Sequence, residues 1–382
     1  MLRKAIYTTE DEQYLIEIGK EWNFHTENTQ EPLHSLHPYP AKFIPQIPRK
    51  AIENWSKEGE LVYDPFVGCG TTLLEASLLG RNSIGTDNNS VAILVSKAKT
   101  AFYNSSEFDA LCNFSSEIDL ILPNIKPRPD LIPQNKNFLY WFSPEVIDRL
   151  SALKQMILEK SEPVQSMLFA IFSSILVKVS FQDSDTRYAK VDRTVRPTDI
   201  DRVFKVKLAQ VINQLPEIMV PNRSPVSVYQ ADARNIPFIK TNSVSLIVTS
   251  PPYLNAYDYH KYHRQRLHWI DGNIEFARNI EIGSHDEFTK PNAKPDQYFV
   301  DMDACFAEWV RVLENNGHCV VVVGDAIVNK EPIPVGDMFV KLMKNRGVEL
   351  EKRWIRTLHA TKRAFNIQNS RITHEHVLLF RK

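Results

Sequence analysis

The chain carries no excess of either charge: 46 Lys and Arg stand against 46 Asp and Glu in 382 residues. No global field draws it to a polyanion, so any contact with nucleic acid has to come from local basic patches. Glycine is scarce, 12 residues against 23 prolines, and each glycine therefore marks a backbone position worth locating. Four cysteines occur, Cys69, Cys112, Cys305 and Cys319. None forms a CxxC pair and no Cys/His cluster has zinc spacing, which reads as free thiols in an intracellular protein without a metal site. No apolar run reaches membrane-spanning length. The longest, residues 166–181, reads as a buried helix. The first twenty residues mix charged and apolar side chains and lack the apolar core of a secretory signal. The expectation is a cytoplasmic protein with no membrane partner.

What is present is a set of short apolar runs, each ending at a polar residue or a turn: residues 59–66, 82–87, 226–232, 243–253, 317–326 and the closing EHVLLFRK. Such runs predict strands buried on both faces. Between the first two lies TTLLEASLLG, with apolar residues at helical spacing and Gly80 as its C-cap. Strand, helix and strand at this spacing form a right-handed βαβ unit. The predicted fold is α/β, an open, doubly wound Rossmann-like sheet. Helical periodicity at 298–313 adds one covering helix. The strand pattern stops between about 105 and 225, where helical segments are predicted at 144–160, 162–181 and 199–215. The predicted organisation is 1–104 and 226–382 as two parts of one sheet domain, with a mainly helical insertion at 105–225.

Two motifs carry the chemistry. In DPFVGCGTTLLEA, a strand ends at Asp64 and turns through Pro65, Phe66, Gly68 and Gly70 into a helix at Thr71 and Thr72. The glycines let backbone approach a ligand, and the helix N-terminus offers free N–H groups to a carboxylate or phosphate. Asp87, followed by Asn88, ends the next strand about 20 residues on, where an acid accepts from ribose hydroxyls. Asp232, followed by Ala233, ends a third strand and can meet an adenine amine. The second motif, TSPPYLNAYDY, follows a fully apolar strand. Pro251 and Pro252 lack N–H donors and stiffen the backbone. Ser250 Oγ and the Pro251 carbonyl can then accept from an amine while Tyr253 stacks on its ring.

These segments resemble the site-specific DNA amino-methyltransferases. DPFVGCGTT is similar to their S-adenosylmethionine motif, TSPPY to their catalytic motif, and HPYPAKFIP (37–45) to the segment they place against the methionine part of that cofactor, with Lys42 and Phe43 at its centre. The resemblance implies the class I methyltransferase sheet and direct transfer of a methyl group to the exocyclic amine of a flipped base. It also implies double-stranded DNA as substrate, and a restriction–modification context with a cognate endonuclease. No cysteine follows a proline, unlike the nucleophile of cytosine-C5 enzymes. Ser before Pro-Pro is similar to the cytosine-N4 enzymes, whereas Asp or Asn there is commoner among adenine-N6 enzymes; cytosine N4 is the expectation. Two other readings compete. Some tRNA guanine-N2 methyltransferases carry both motifs after an N-terminal RNA-binding domain, for which about sixty residues leave little room. A non-catalytic DNA-binding subunit would not need the intact motif residues.

Three basic segments are candidates for DNA contact: 187–196, with Arg187, Lys190 and Arg193; 259–269, with Lys261, Arg264 and Arg266 among aromatics; and 352–363. Lys and Arg supply salt-sensitive phosphate contacts, and aromatics fill the gap left by a flipped base. The insertion or the loop at 272–296 would read the target sequence.

Overall fold

Short runs rich in Val, Ile and Leu become strands because their β-branched side chains pack against helices on both sheet faces. In the computed structural model, which describes residues 16–29, 32–134, 137–255, 257–288, 294–358 and 373–382, eight such strands form one sheet. They are β1 (Ile16–Ile18), β2 (Leu61–Asp64), β3 (Asn82–Asp87), β4 (Val226–Gln230), β5 (Val244–Thr249), β6 (Leu313–Val323), β7 (Glu349–Thr357) and β8 (His374–Arg381). Their order is β1-β7-β8-β6-β5-β2-β3-β4. β8 runs antiparallel to both β7 and β6, while the other pairs are parallel. This is the α/β sheet predicted, with a mostly parallel core. The chain winds outward from β2 on one side and from β5 on the other, so the crevice between β2 and β5 is where such sheets bind ligands.

All six predicted strands form. Two others, β1 and β7, were not anticipated. β7 (ELEKRWIRT) overlaps the segment read as a basic DNA-binding stretch, and for Arg353 and Arg356 that reading is corrected. Arg353 and Arg356 are buried, the first paired with Asp337 and the second with Glu375. Each charge is matched by a carboxylate from a neighbouring element, which the local sequence does not reveal. Thr361, Lys362 and Arg363 of that segment lie outside the described residues, as do residues 1–15.

Helices α1 (Gln46–Trp55), α2 (Thr71–Leu78) and α3 (Ser90–Thr100) flank the first half of the sheet; α8 (Asp296–Val312) and α9 (Val335–Asn345) flank the second. Between them lie α4 (Ser105–Leu120), α5 (Pro144–Leu158), α6 (Val164–Ile175) and α7 (Pro197–Gln214). The last three match the predicted helical segments. α4 was missed, although Asn104 and Glu107 form a reciprocal capping box at its start. The insertion's helices share one apolar core with α2 and α3: Leu74, Val91 and Val95 pack in the same cluster as Phe114, Leu150, Phe172 and Phe204. The basic stretch after α6 folds back as a hairpin, Gln182–Ser184 against Arg187–Lys190. No helix among the described residues is long and apolar enough to cross a membrane.

Candidate active site

Asp64 ends β2 and is buried. Its Oδ1 accepts from the Phe66 N–H at 3.1 Å and from Thr249 Oγ1, the last residue of β5, at 2.7 Å. One carboxylate thus joins the two strands at the switch point. Burial pushes its pKa up to about 6, against the opposing pull of those donors. The chain then turns through Gly68 and Gly70, both at positive φ. At Gly70 an added Cβ would sit 2.9 Å from the Ser96 Cα, so glycine there lets the loop lie against α3. No side chain caps the N-terminus of α2, and its first N–H groups remain available to an anion.

Asp87 braces the same loop. Its two oxygens accept from the Gly68 N–H and the Asn89 N–H, each at 2.9 Å, and burial lifts its pKa to about 6. Two of roughly four lone-pair positions on such a carboxylate are then still open. Asp232 is engaged more heavily. Arg234 clamps both its oxygens at 2.8–3.1 Å and reaches Asp301 as well, so an adenine amine would meet a carboxylate already largely neutralised.

These ends surround a cavity open to solvent. Of the residues anticipated from sequence it is lined by Lys42, Phe43, Asp64, Pro65, Phe66, Gly68, Thr71, Thr72, Asp87, Asn88, Asp232, Ala233, Ser250 and Pro252. Lys42 is oriented by donating to the His34 carbonyl at 2.9 Å. Gly70, Pro251 and Tyr253 are absent from the lining. Gly70 serves packing, Pro251 is buried, and Tyr253 stands beside the cavity, half-buried, its hydroxyl donating to Glu375 Oε1 at 2.8 Å. The Pro252 carbonyl accepts from Tyr298 at 2.9 Å.

Several lining residues were missed. Tyr39 sits inside the HPYPAKF segment and stacks on Tyr259 at 6.0 Å between ring centroids; both tyrosines belong to quoted motifs and were within reach. Cys69, read only as a free thiol, also lines the cavity. Ile280, Glu281 and Ile282 close one wall and have no local signal at all. Glu281 holds the segment after the second motif by accepting from the Tyr259 N–H at 2.6 Å and from His260 Nδ1.

The basic candidates divide. Arg187, Lys190 and Arg264 are exposed. Lys190 lies over the rings of Tyr140 and Phe181. Arg193 is half-buried and donates to the Gln182 and Asp183 carbonyls, and Lys261 pairs with Asp286 and Asp258. Arg266 is corrected: it is 0% exposed, donates to the Ser173 carbonyl at 3.1 Å and pairs with Asp185. It ties the end of α6 to the hairpin and cannot reach DNA from there.

A DNA methylase family model matches residues 3–98, which include the Lys42–Phe43 segment and the Asp64–Thr72 loop. The type II methyltransferase M.MvaI of Kocuria varians is 24% identical over 405 aligned positions, spanning 90% of this chain and 89% of that protein. Along most of its length the chain is similar to DNA methyltransferases. The type II methyltransferase M.BsoBI of Geobacillus stearothermophilus is also 24% identical, over 66% of this chain and 55% of its own length. Among solved structures, an S-adenosylmethionine-dependent methyltransferase of Methanosarcina mazei covers 87% of this chain at 10% identity with a TM-score of 0.35.

Proposed function

We propose that this methyltransferase is site-specific and methylates the exocyclic N4 of cytosine on a base flipped out of duplex DNA. The observation that carries the reading is that Ser250 and Pro252 of the second motif share one cavity with the Asp64–Thr72 loop. A donor loop and an amine-binding motif are useful together only if the two ligands meet.

The cavity suits the cofactor. It combines an uncapped helix N-terminus for a carboxylate, carboxylate oxygens of Asp87 for ribose hydroxyls, and apolar walls from Phe43, Phe66 and Ile282. Bound there, S-adenosylmethionine supplies an electrophilic methyl group on a sulfonium. Lys42, Phe43, Gly68, Thr71, Thr72, Asp87 and Asn88 would hold it. Ser250 Oγ and the Pro251 carbonyl accept hydrogen bonds from the target amine. An aromatic amine is a poor nucleophile because its lone pair is delocalised; acceptors that draw it toward sp3 geometry help most as positive charge develops on nitrogen. Tyr253 offers the ring face on which the flipped base stacks.

The exposed Arg187, Lys190 and Arg264 would contact phosphates, with the helical insertion or the segment at 272–296 reading the sequence. The relatives are named type II methyltransferases, which supports a partner restriction endonuclease. The test is methyl transfer to duplex DNA and to tRNA, followed by nucleoside mass spectrometry. N4-methyldeoxycytidine is expected. N6-methyldeoxyadenosine would retain the mechanism and reassign the pocket, and a product found only in tRNA would overturn the choice of substrate.

A further inference from the structure

The first motif is closed on itself, whereas Tyr253 hangs on the far end of the chain. β8 is the one strand antiparallel to both its neighbours β6 and β7. Its first residues therefore lie at the sheet edge where the parallel strands end. That reversal delivers Glu375 to the catalytic motif, 122 residues away in sequence. Glu375 Oε1 accepts from the Tyr253 hydroxyl at 2.8 Å, and Oε2 accepts from Arg356 Nη1 at 2.8 Å. Arg356 is the cross-strand partner of Glu375 in the β7–β8 register. Both side chains are nearly buried, 7% and 12% exposed for Arg356 and Glu375.

We propose that Glu375, held by Arg356, is the positioning residue for Tyr253, holding in place the ring on which the target base stacks. The argument is geometric. A tyrosine ring anchored only at Cβ can swing about its first torsion, and a second anchor at the hydroxyl fixes where the ring lies; because a phenolic O–H prefers the plane of its ring, the direction of the acceptor also favours one tilt. Glu375 can act as that anchor because its other oxygen is committed to Arg356, which leaves the carboxylate one orientation. A low-exposure carboxylate of this kind is costly unless both its oxygens are engaged; Arg356 Nη1 takes one and the Tyr253 hydroxyl takes the other. Burial and the neighbouring Glu375 carboxylate together hold the phenol well above its ordinary pKa, so it stays a donor. The inference rests on the functional reading above, in which Tyr253 supports the base.

Tyr253→Phe keeps the ring and removes the anchor. Steady-state transfer to unmethylated genomic DNA should show kcat lowered roughly 10- to 100-fold, with the affinity for S-adenosylmethionine unchanged by calorimetry. Glu375→Ala should give the same pattern, and the double variant should be no worse than either alone, as for two residues acting through one bond. Should Glu375→Ala fail to fold for want of a partner to Arg356, Tyr253→Phe decides alone. A wild-type protein inert on DNA would overturn the functional reading. An active wild type whose Tyr253→Phe variant keeps its kcat, or losses that multiply in the double variant, would overturn the positioning role alone.

Discussion

The loop after β2 and the loop after β5 leave adjacent strands at the same edge, and they are held in opposite ways. The first is secured largely by near neighbours: Asp64 accepts from Phe66, Asp87 from Gly68, and Gly70 packs on Ser96. Apart from the Thr249 bond to Asp64, these anchors all lie between β2 and α3. The second is secured by remote groups: Pro252 by Tyr298, Tyr253 by Glu375, Tyr259 by Glu281, and the following helix through Arg266 to Ser173 and Asp185. A cofactor common to many chemistries can be bound by a self-contained unit. A catalytic segment that has to match one substrate is fitted by the whole molecule.

The largest effect should come from breaking the most buried of the remote anchors. Arg266→Ala removes a buried guanidinium paired with the partly exposed Asp185, and a carbonyl hydrogen bond, and should cost on the order of 2–3 kcal/mol in urea unfolding. The salt dependence of DNA binding should stay as it was. A stable variant with a shallower salt slope would mean that Arg266 faces DNA after all.

The next contrast separates the two loops by function. Tyr253→Ala should lower kcat on the order of 100-fold, from lost stacking and orientation, while cofactor affinity stays within about twofold, the scatter left when no contact is lost. Asp64→Ala should instead weaken cofactor binding. Exchanged phenotypes would reverse the assigned roles.

The pH dependence sharpens the first loop alone. Asp64 has a pKa of about 6 in the folded chain against 3.8 ordinarily, so the folded state favours the protonated form. That contribution is present in full below about pH 4, the unfolded value, and is lost as pH rises through 6. Asp64→Asn does not ionise. The stability of wild type relative to this variant should therefore fall by on the order of 2–3 kcal/mol between pH 4 and pH 7, as read from denaturant midpoints. A flat difference would mean that the carboxylate is charged at no cost.

The smallest effect belongs to the exposed cations. Lys190→Ala and Arg187→Ala should each reduce the slope of log affinity against log salt by about 1, with no change in stability. Unchanged slopes would move the DNA interface elsewhere, with Arg264 the next side chain to test.

Much of the fold was legible because its signals are local. Strand runs ending in Asp64, Asp87 and the SPPY motif each carry their own periodicity and their own turn, and the cavity joins most of the candidate site residues read from them. The Asn104–Glu107 cap was legible as well and was passed over. β7 was misread because alternating Lys, Arg and apolar residues look solvated until Asp337 and Glu375 are brought beside them. Arg266 was misread for the same reason: a side chain's charge is local, but its burial depends on partners contributed by other elements.

The linear order of residues was enough to locate six of the eight strands and the two turn motifs at their ends, because backbone propensity, hydrophobic period and turn chemistry act over a few residues. Which cations are buried, which wall Glu281 closes and what anchors Tyr253 depend on residues up to 122 positions apart. Those pairings exist only once the sheet has folded and β8 has entered it in reverse.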